Sequence, residues 1–297
     1  MPTEWIWING EIMPLSDARI GVEDRGFQFA DGVYEVIRLY DGVPFTLTEH
    51  LERLGRSAAA ISIAVPLTID ELSIEIRKLI ARSGILDGMV YLQLTRGCAP
   101  RNHVIPAESA PTLLFYARPL PPALAPGLGE GMKLLSVPDE RWKRCWIKAI
   151  ALLPNTLAKS LAVSRGYDEA VFVDDGMVNE CSASNLFAVI DGRLVTHPVG
   201  PKVLPGITRA LLLKCAGAMG VEFEERPMRE AEAMEAAELF ITSTTREVSW
   251  VGHWNDRPVG SSRPGRVTVA LHHALQERVR GETSRGRVEF AVAQTTS

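Results

Sequence analysis

A proline-rich run near the middle of the chain constrains its fold more than any other feature. Residues 118–127 read Arg-Pro-Leu-Pro-Pro-Ala-Leu-Ala-Pro-Gly. Proline lacks an amide hydrogen and fixes its own φ, so neither a helix nor a strand can continue through this run. The 297 residues are enough for two domains that each bury a core. The sequence therefore predicts a domain at 1–120, a linker at 121–130, a domain at 131–281 and a polar tail at 282–297.

Both predicted domains mix strand and helix signals. Residues 33–40 are rich in β-branched and aromatic types and end at an Asp-Gly turn, which predicts a strand and hairpin. Thr-Ile-Asp-Glu at 68–71 is a capping box ahead of apolar residues at helical spacing, and Gly84 ends that predicted helix. Further strands are predicted at 90–96, 111–117, 170–173, 186–190 and 239–242, and further helices near 152–165, 208–219 and 266–280.

Composition and charge exclude several classes of function. A formal net charge of −4 and a pI of about 5.9, with scattered arginines, argue against nucleic acid as a partner. No stretch approaches the roughly 20 apolar residues that span a bilayer, and the first residues lack the features of a signal peptide, so we expect a cytoplasmic protein. Four widely spaced cysteines predict neither a metal site nor disulfides. They are Cys98, Cys145, Cys181 and Cys215.

One lysine lies in an unusual place. The chain has only seven lysines, and Lys148 is flanked by Trp-Ile on one side and Ala-Ile-Ala-Leu-Leu on the other. An apolar environment favours the neutral amine that reacts with an aldehyde. A lysine can also lay its methylenes on apolar surface while its amine reaches water. Lys148 alone therefore does not decide between the two interpretations.

A carboxylate follows farther along the chain. Residues 180–187 read Glu-Cys-Ser-Ala-Ser-Asn-Leu-Phe, so Glu180 precedes small polar residues and then an apolar strand. A carboxylate beside a pyridine nitrogen keeps that nitrogen protonated, and the ring can then accept electrons when a substrate Cα–H bond breaks. The segment is equally compatible with a surface hairpin. From these residues alone both interpretations stay open.

Two later runs offer donors for an anion. Residues 204–209 end a loop and open a predicted helix at Gly206, where free N–H groups and the helix dipole favour a phosphate. Ser-Thr-Thr at 243–245 follows a predicted strand and offers hydroxyl groups. Both runs also fit ordinary helix and strand caps.

At these residues the chain resembles the class-IV aminotransferases, a fold-type-IV pyridoxal-phosphate family. The similarity extends from about Trp7 to Gly252 and is strongest to the family's D-amino-acid transaminases. The family signature is met by Glu180, Ser182, Asn185-Leu186-Phe187, Leu194, Thr196, Leu204, Gly206-Ile207 and Arg209. The resemblance implies an α/β (α+β) fold, with a small N-terminal α/β domain, a larger C-terminal barrel-like domain and the cofactor between them.

The resemblance also implies a role for each candidate residue. Lys148 bonds covalently to pyridoxal 5'-phosphate, and Glu180 bonds its ring nitrogen. The remaining cofactor-binding residues are Arg53, Ser243, Thr244, the backbone of Ile207 and Thr208, and Leu204, which packs on the ring. The substrate-binding residues are Tyr34, Val36, Arg101 and His103, of which the arginine and histidine grip the α-carboxylate. Without the resemblance, Arg53 is a helix-surface arginine four residues after Glu49.

The implied reaction moves the amino group of a D-amino acid, such as D-alanine, to a 2-oxo acid, such as 2-oxoglutarate, in a homodimer whose loops reach the neighbour's site. Alternatives are a branched-chain L-amino-acid transaminase, an (R)-amine transaminase, an aminodeoxychorismate lyase, or a catalytically silent cofactor-binding protein. Trp146, Ala183 and Asn102 depart from the family pattern. Arg38 has two interpretations: it matches an arginine of branched-chain enzymes, or it is simply a strand residue exposed at one edge.

Overall fold

The computed structural model describes residues 4–121, 123, 130–261 and 263–295. Most of the predicted linker at 121–130 lies outside the described residues. The chain divides into two compact units. The first comprises Met1–Pro122, Ile147–Ala151 and Val279–Ser297, and the second comprises Ala123–Trp146 and Leu152–Arg278. The short segment around Lys148 therefore packs with the N-terminal residues, whereas the predicted domain boundaries stay a prediction.

Within residues 4–121, six strands form one antiparallel sheet in the order β2-β1-β6-β5-β3-β4. The strands are β1 (Trp5–Ile8), β2 (Glu11–Pro14), β3 (Gly32–Tyr40), β4 (Val43–Pro44), β5 (Gly88–Thr95) and β6 (Thr112–Pro119). The helices are α1 (Arg25–Phe29), α2 (Leu47–Ala60) and α3 (Ile69–Ser83). Apolar residues of β3, such as Ile37, form a core with residues of α2 and α3, such as Leu54 and Ile76.

Local sequence explains where α3 begins and ends. The Thr68 hydroxyl accepts a hydrogen bond from the Glu71 amide at 3.2 Å, and the Glu71 carboxylate accepts one from the Thr68 amide at 2.8 Å. Gly84 ends the helix at a φ of 69°, a left-handed conformation that favours glycine. The predicted capping box and helix are confirmed, and so is the strand predicted at 33–40.

Within residues 130–261, ten strands form a second, mixed sheet in the order β12-β11-β10-β14-β15-β7-β8-β9-β13, with β16 paired to β15. The strands are β7 (Met132–Pro138), β8 (Glu169–Asp174), β9 (Met177–Cys181), β10 (Asn185–Ile190), β11 (Arg193–Thr196), β12 (Phe223–Glu225), β13 (Met228–Arg229), β14 (Glu238–Ser243), β15 (Glu247–Trp254) and β16 (Arg257–Pro258). The helices are α4 (Leu153–Ser164), α5 (Ile207–Ala218) and α6 (Glu230–Met234). Phe187 and Phe240 stack on neighbouring strands with ring centres 5.0 Å apart.

The last helix, α7 (Arg266–Thr295), continues beyond the end predicted near Arg280. The prediction was wrong because a glycine costs a helix only about 1 kcal/mol, and no proline follows Gly281. The Glu282 carboxylate also accepts a hydrogen bond from the Thr46 amide at 2.7 Å, which holds this part of the helix. No helix in the described ranges has both the length and the apolar character to cross a bilayer.

Candidate active site

The segment that carries Lys148 lies along β3 and is fixed by its backbone. The Tyr34 amide donates to the Lys148 carbonyl oxygen at 3.0 Å, and Val33 forms an isolated β-bridge with Ala149. The Lys148 amide donates to Ser57 Oγ of α2 at 3.2 Å. Lys148 is half-buried between neighbours that are buried. The position of its Cα is therefore set by two elements of the first unit.

The Lys148 side chain faces an aromatic ring. Its Nζ lies 4.2 Å from the centre of the Tyr34 ring, which is within the range of a cation–π contact. Side chains alternate along a strand, so Tyr34 and Val36 lie on one face of β3 and Glu35 on the other. Val36 is half-buried. The structure thus brings the predicted lysine to one predicted substrate-binding residue.

Arg53 is buried in α2 and bonded to a buried carboxylate. Its Nε donates to Glu35 Oε1 at 2.7 Å, and its Nη2 donates to Glu35 Oε2 at 2.8 Å. His50 Nδ1 lies 2.7 Å from Glu35 Oε2. We call Glu35, His50 and Arg53 the Glu35 cluster. The interpretation of Arg53 as a surface arginine near Glu49 is wrong.

The Glu35 cluster holds an ionised carboxylate. Burial alone would raise the pKa of Glu35, but Arg53 and His50 hold that pKa well below its ordinary value. Burial lowers the pKa of His50, and Glu35 opposes this change. Neither Glu35 nor His50 was predicted from the sequence, because the two residues that meet in this cluster lie 15 positions apart in the chain.

The two residues predicted to grip a carboxylate share one aromatic ring. The Arg101 guanidinium lies 4.5 Å from the centre of the Phe29 ring, and the His103 ring centre lies 5.5 Å from it. Arg25 lies 4.8 Å from the same centre and donates to the Asn102 carbonyl oxygen at 2.6 Å. Arg101 and His103 are both exposed. The loop therefore presents two potential hydrogen-bond donors side by side.

Glu180, near the end of β9, is buried and not part of an exposed hairpin. Its Oε1 accepts a hydrogen bond from Arg141 Nη1 at 2.6 Å. Its Oε2 accepts from Asn185 Nδ2 at 3.0 Å and from the Leu204 amide at 3.1 Å. Burial raises the pKa of Glu180 to about 7, although Arg141 and the Leu204 amide act in the opposite direction. The surface-hairpin interpretation is therefore wrong.

Asp139 and Arg141 complete this group and were missed in the sequence. Arg141 Nε donates to Asp139 Oδ1 at 2.9 Å, and Nη2 donates to Asp139 Oδ2 at 2.8 Å. Asn179 Nδ2 also donates to Asp139 Oδ2, at 2.8 Å. We call Asp139, Arg141, Glu180 and Asn185 the Glu180 cluster. Arg141 falls within the region of family resemblance, but nothing in the sequence shows that it faces Glu180.

The start of α5 is free of a side-chain cap. Gly206 precedes the helix, and glycine has no side chain that could accept a hydrogen bond from the helix amides. The first amides of a helix, here those of Ile207 and Thr208, lack partners within the helix and can bind an anion. A Cβ atom at Gly206 would collide with Asn185 Oδ1. Glycine at this position thus leaves room for the amide that holds Glu180.

Hydroxyl groups lie beside the Glu180 cluster. Ser184 Oγ and Thr242 Oγ1 are buried and have no hydrogen-bond partner among the described residues. Thr242 pairs with Asn185 across β14 and β10. Ser243 Oγ accepts from the Arg246 amide at 3.2 Å, and Thr244 follows it in the turn. Such unpaired buried hydroxyls fit a site that binds a polar ligand.

Comparisons with known proteins identify the family. Residues 32–254 match the model of the amino-transferase class IV family. The D-alanine aminotransferase of Bacillus licheniformis is 38% identical over 280 residues, which are 94% of this chain and 99% of the relative. That of Listeria monocytogenes serotype 4b is 39% identical over 288 residues, 96% of this chain and 99% of the relative.

A solved structure shows the same fold. The branched-chain amino acid aminotransferase of Escherichia coli is 29% identical, has a TM-score of 0.84, and is matched over 92% of this chain and 93% of its own. The predicted two-domain α/β fold of fold type IV is confirmed. Members of this family use pyridoxal 5'-phosphate to exchange amino groups between amino acids and 2-oxo acids. The chain therefore belongs to the class IV aminotransferases and is a pyridoxal-phosphate-dependent aminotransferase.

Proposed function

We propose that this aminotransferase moves the amino group of a D-amino acid, such as D-alanine, to a 2-oxo acid, such as 2-oxoglutarate. The amino-transfer chemistry is supported by one observation above all, the Lys148 amine over the Tyr34 ring. The choice of a D-amino acid is supported by the two D-alanine aminotransferases, which are similar over nearly the whole chain.

Lys148 is the proposed covalent and proton-carrying residue. When bound, pyridoxal 5'-phosphate supplies an aldehyde that takes the amino group and a ring that withdraws electrons from the substrate. Lys148 Nζ would hold the cofactor covalently through that aldehyde. In the presence of substrate, the free Lys148 amine would accept the proton from the substrate Cα and carry it within the site. Ser57 and Tyr34 hold this lysine by its backbone.

Further residues are proposed to contact the cofactor. Glu180 Oε1 accepts one hydrogen bond from the described residues, and a carboxylate oxygen can accept a second, here from the ring N–H. The unpaired hydroxyls of Ser184 and Thr242 support a polar ligand beside it. The remaining proposed residues are Arg53, Ser243, Thr244, Ile207 and Thr208 for the phosphate, and Leu204 against the ring.

Arg101 and His103 are proposed to bind the substrate α-carboxylate, with Tyr34 and Val36 beside the substrate. An arginine fork matches a carboxylate, and a histidine adds a donor. We also propose a homodimer in which this loop reaches the neighbour's site. Its support is the apolar surface beside the loop, since Val104 is 71% exposed and Phe27 80% exposed.

A branched-chain L-amino acid is the second candidate substrate. It is supported by the solved branched-chain enzymes and by Arg38, which is buried rather than exposed on the strand. Arg38 Nη2 donates to the Pro121 carbonyl oxygen at 3.0 Å. No observation favours an (R)-amine, a lyase reaction or a silent protein. The cytoplasmic location stays a prediction.

The substrate is tested by the half-reaction. Wild-type protein loaded with cofactor is mixed separately with D-alanine, L-leucine and (R)-1-phenylethylamine, and the cofactor absorbance is followed. We expect D-alanine to convert the cofactor fastest. Conversion by L-leucine with none by D-alanine would show that the chain is a branched-chain enzyme.

The carboxylate role is tested with Arg101→Leu. Loss of charge-assisted hydrogen bonds should cost about 2–4 kcal/mol in kcat/KM for D-alanine. An amine without a carboxylate should lose far less. Arg56→Leu is the matched control, because Arg56 is exposed on the helix surface, where its Nη1 lies 3.8 Å from Glu52 Oε2. Equal losses on both substrates would refute the role of Arg101.

The shared site is tested by mixing subunits. A hybrid dimer contains one Arg101→Leu subunit and one Lys148→Ala subunit. If the loop crosses the interface, one of its two sites keeps both an intact lysine and an intact arginine; otherwise neither site does. We expect D-alanine activity to recover on mixing. No recovery, despite proven subunit exchange, would place the carboxylate grip within one subunit.

A further inference from the structure

Glu180 is held so that one acceptor position remains. Each carboxylate oxygen can accept two hydrogen bonds. Oε2 accepts two, from Asn185 and the Leu204 amide, whereas Oε1 accepts one from the described residues, that of Arg141 at 2.6 Å. The carboxylate therefore cannot rotate without breaking a bond, and its remaining acceptor position lies on the oxygen that Arg141 holds.

Arg141 is itself immobile. Besides Glu180, it bonds Asp139 through two nitrogens and donates from Nη2 to the Lys202 carbonyl oxygen at 2.9 Å. Its guanidinium carbon lies 4.2 Å from the centre of the Phe172 ring, and its side chain is 5% exposed. Three groups in different parts of the second unit thus fix the arginine that fixes Glu180.

Asp139 balances the charge of Arg141. Burial alone would raise the pKa of Asp139, but hydrogen bonds from Arg141 hold it below its ordinary value, so Asp139 is ionised. Among the described residues, two thiols also interact with Glu180. Burial raises the pKa of Cys145 to about 11 and that of Cys181 well above its ordinary value, so neither carries charge.

The balance of charges has a consequence for a cation beside Glu180. Asp139 and Arg141 cancel, so an ionised Glu180 leaves the cluster with one negative charge. A protonated ring nitrogen would neutralise that charge. With a neutral residue in place of Asp139, Arg141 and Glu180 would cancel each other, and the same cation would be buried without a counter-charge.

We propose that Arg141 and Asp139 are positioning residues for the ring nitrogen: Arg141 fixes Glu180 with one acceptor position open, and Asp139 neutralises Arg141, so that Glu180 keeps the nitrogen protonated. This inference rests on the proposed role of Glu180. It assigns the protonation of the ring to three charged side chains and not to the glutamate alone.

The test measures the proton on the ring nitrogen directly. Wild type, Asp139→Asn and Asp256→Asn are loaded with cofactor labelled with nitrogen-15 in the ring, and the chemical shift is followed against pH without substrate. We expect the midpoint of deprotonation in Asp139→Asn to fall by about one pH unit or more, a tenfold change in proton affinity. Asp256 is the matched control because it is exposed and accepts only from the Tyr167 hydroxyl in the described contacts, at 2.8 Å.

A second variant separates charge from damage to the fold. Asp139→Asn combined with Arg141→Met restores the single negative charge of the cluster, so we expect the midpoint to return close to the wild-type value. The half-reaction should stay slow, because Glu180 is no longer held in place. If the single variant fails to fold, the double variant carries the test, and a midpoint clearly above wild type would show that Asp139 does not balance Arg141.

The outcomes also separate this inference from the proposed function. Equal midpoints in wild type, Asp139→Asn and Asp256→Asn would overturn the inference even if D-alanine is converted. An equal midpoint in Glu180→Gln would show that Glu180 does not bind the ring nitrogen at all. Failure of wild type to react with D-alanine would overturn the proposed substrate and leave the midpoint comparison intact, since that comparison uses no substrate.

Discussion

Glu35 and Glu180 are both buried against an arginine, yet their pKa values move in opposite directions. Glu35 receives two hydrogen bonds from Arg53 and lies beside His50, and its pKa is held well below the ordinary value. Glu180 receives one bond from Arg141, whose other side is bonded to Asp139, and its pKa rises to about 7. At neutral pH Glu35 is therefore ionised, whereas Glu180 takes up a proton more readily.

The difference shows that the presence of an arginine does not decide the charge of a buried carboxylate. The charge of the carboxylate depends on how many hydrogen bonds the arginine donates to it, and on whether the arginine also pairs with another carboxylate. In the Glu35 cluster, the ionised Glu35 therefore suits the role of holding Arg53 in place. The Glu180 cluster suits a role in chemistry, because Glu180 Oε1 accepts one hydrogen bond from the described residues and can accept another from a ligand.

The largest expected effect is on folding, at Glu35. Glu35→Gln leaves the buried Arg53 without its counter-charge, and breaking a buried pair in this way costs about 3–5 kcal/mol. The free energy of unfolding from urea titration measures it. Glu52→Gln is the control, because Glu52 and Arg56 are exposed and such pairs contribute about 1 kcal/mol or less. Similar losses in both variants would show that the Glu35 cluster has no special structural role.

Glu180→Gln should give the opposite pattern, with a small change in folding and a large one in rate. Loss of a well-placed electrostatic partner costs on the order of 10²-fold in rate. Stopped-flow measurement of the half-reaction with D-alanine gives the rate, and urea titration gives the stability. A variant that reacts as fast as wild type would reduce Glu180 to a structural residue.

The two glutamates should also give opposite dependences of stability on pH. Folding raises the pKa of Glu180 from 4.5 to about 7. Between these pH values the unfolded chain has lost the proton that the folded protein still holds. The cofactor-free protein therefore loses stability as pH rises through this range. We expect a loss on the order of 1–3 kcal/mol that is absent in Glu180→Gln. The contribution of Glu35, whose pKa is lowered, is instead lost as pH falls below about 4.5. Equal slopes for wild type and Glu180→Gln between pH 5 and 7 would contradict the contrast.

The smallest effect is expected at His50. His50→Leu removes one partner of Glu35 but leaves both bonds from Arg53, so the cost should be about 1.5 kcal/mol, the lower end for a hydrogen bond to a charged group. Thermal and urea unfolding measure it. A loss as large as that of Glu35→Gln would mean that His50, and not Arg53, keeps Glu35 ionised.

Local signals in the sequence predicted much of the fold. The capping box before α3 and the β-branched run of β3 act through neighbouring residues, so both elements were predictable. The end of α7 was not, because the contact between Glu282 and Thr46 joins distant parts of the chain. A polar stretch at the end of a sequence does not show whether such a contact exists.

The candidate site was predictable to a different degree. Lys148 and Glu180 were predicted as site residues because each residue type is unusual in its setting and matches the family pattern. Asp139 and Arg141 were not assigned roles, because Arg141 bonds Glu180, which follows about forty residues later in the chain, and Asp139 acts through Arg141. These residues meet through the sheet formed by β7, β8 and β9. The charge balance of a cluster depends on such long-range contacts.

The most direct test of the account is to find which lysine binds the cofactor. Borohydride treatment of the cofactor-loaded wild-type protein fixes the bond between lysine and cofactor, and peptide mapping then locates the label among the seven lysines. The account predicts the label on Lys148, with none fixed in Lys148→Ala. A label on Lys159 or Lys202 in the wild type would contradict it.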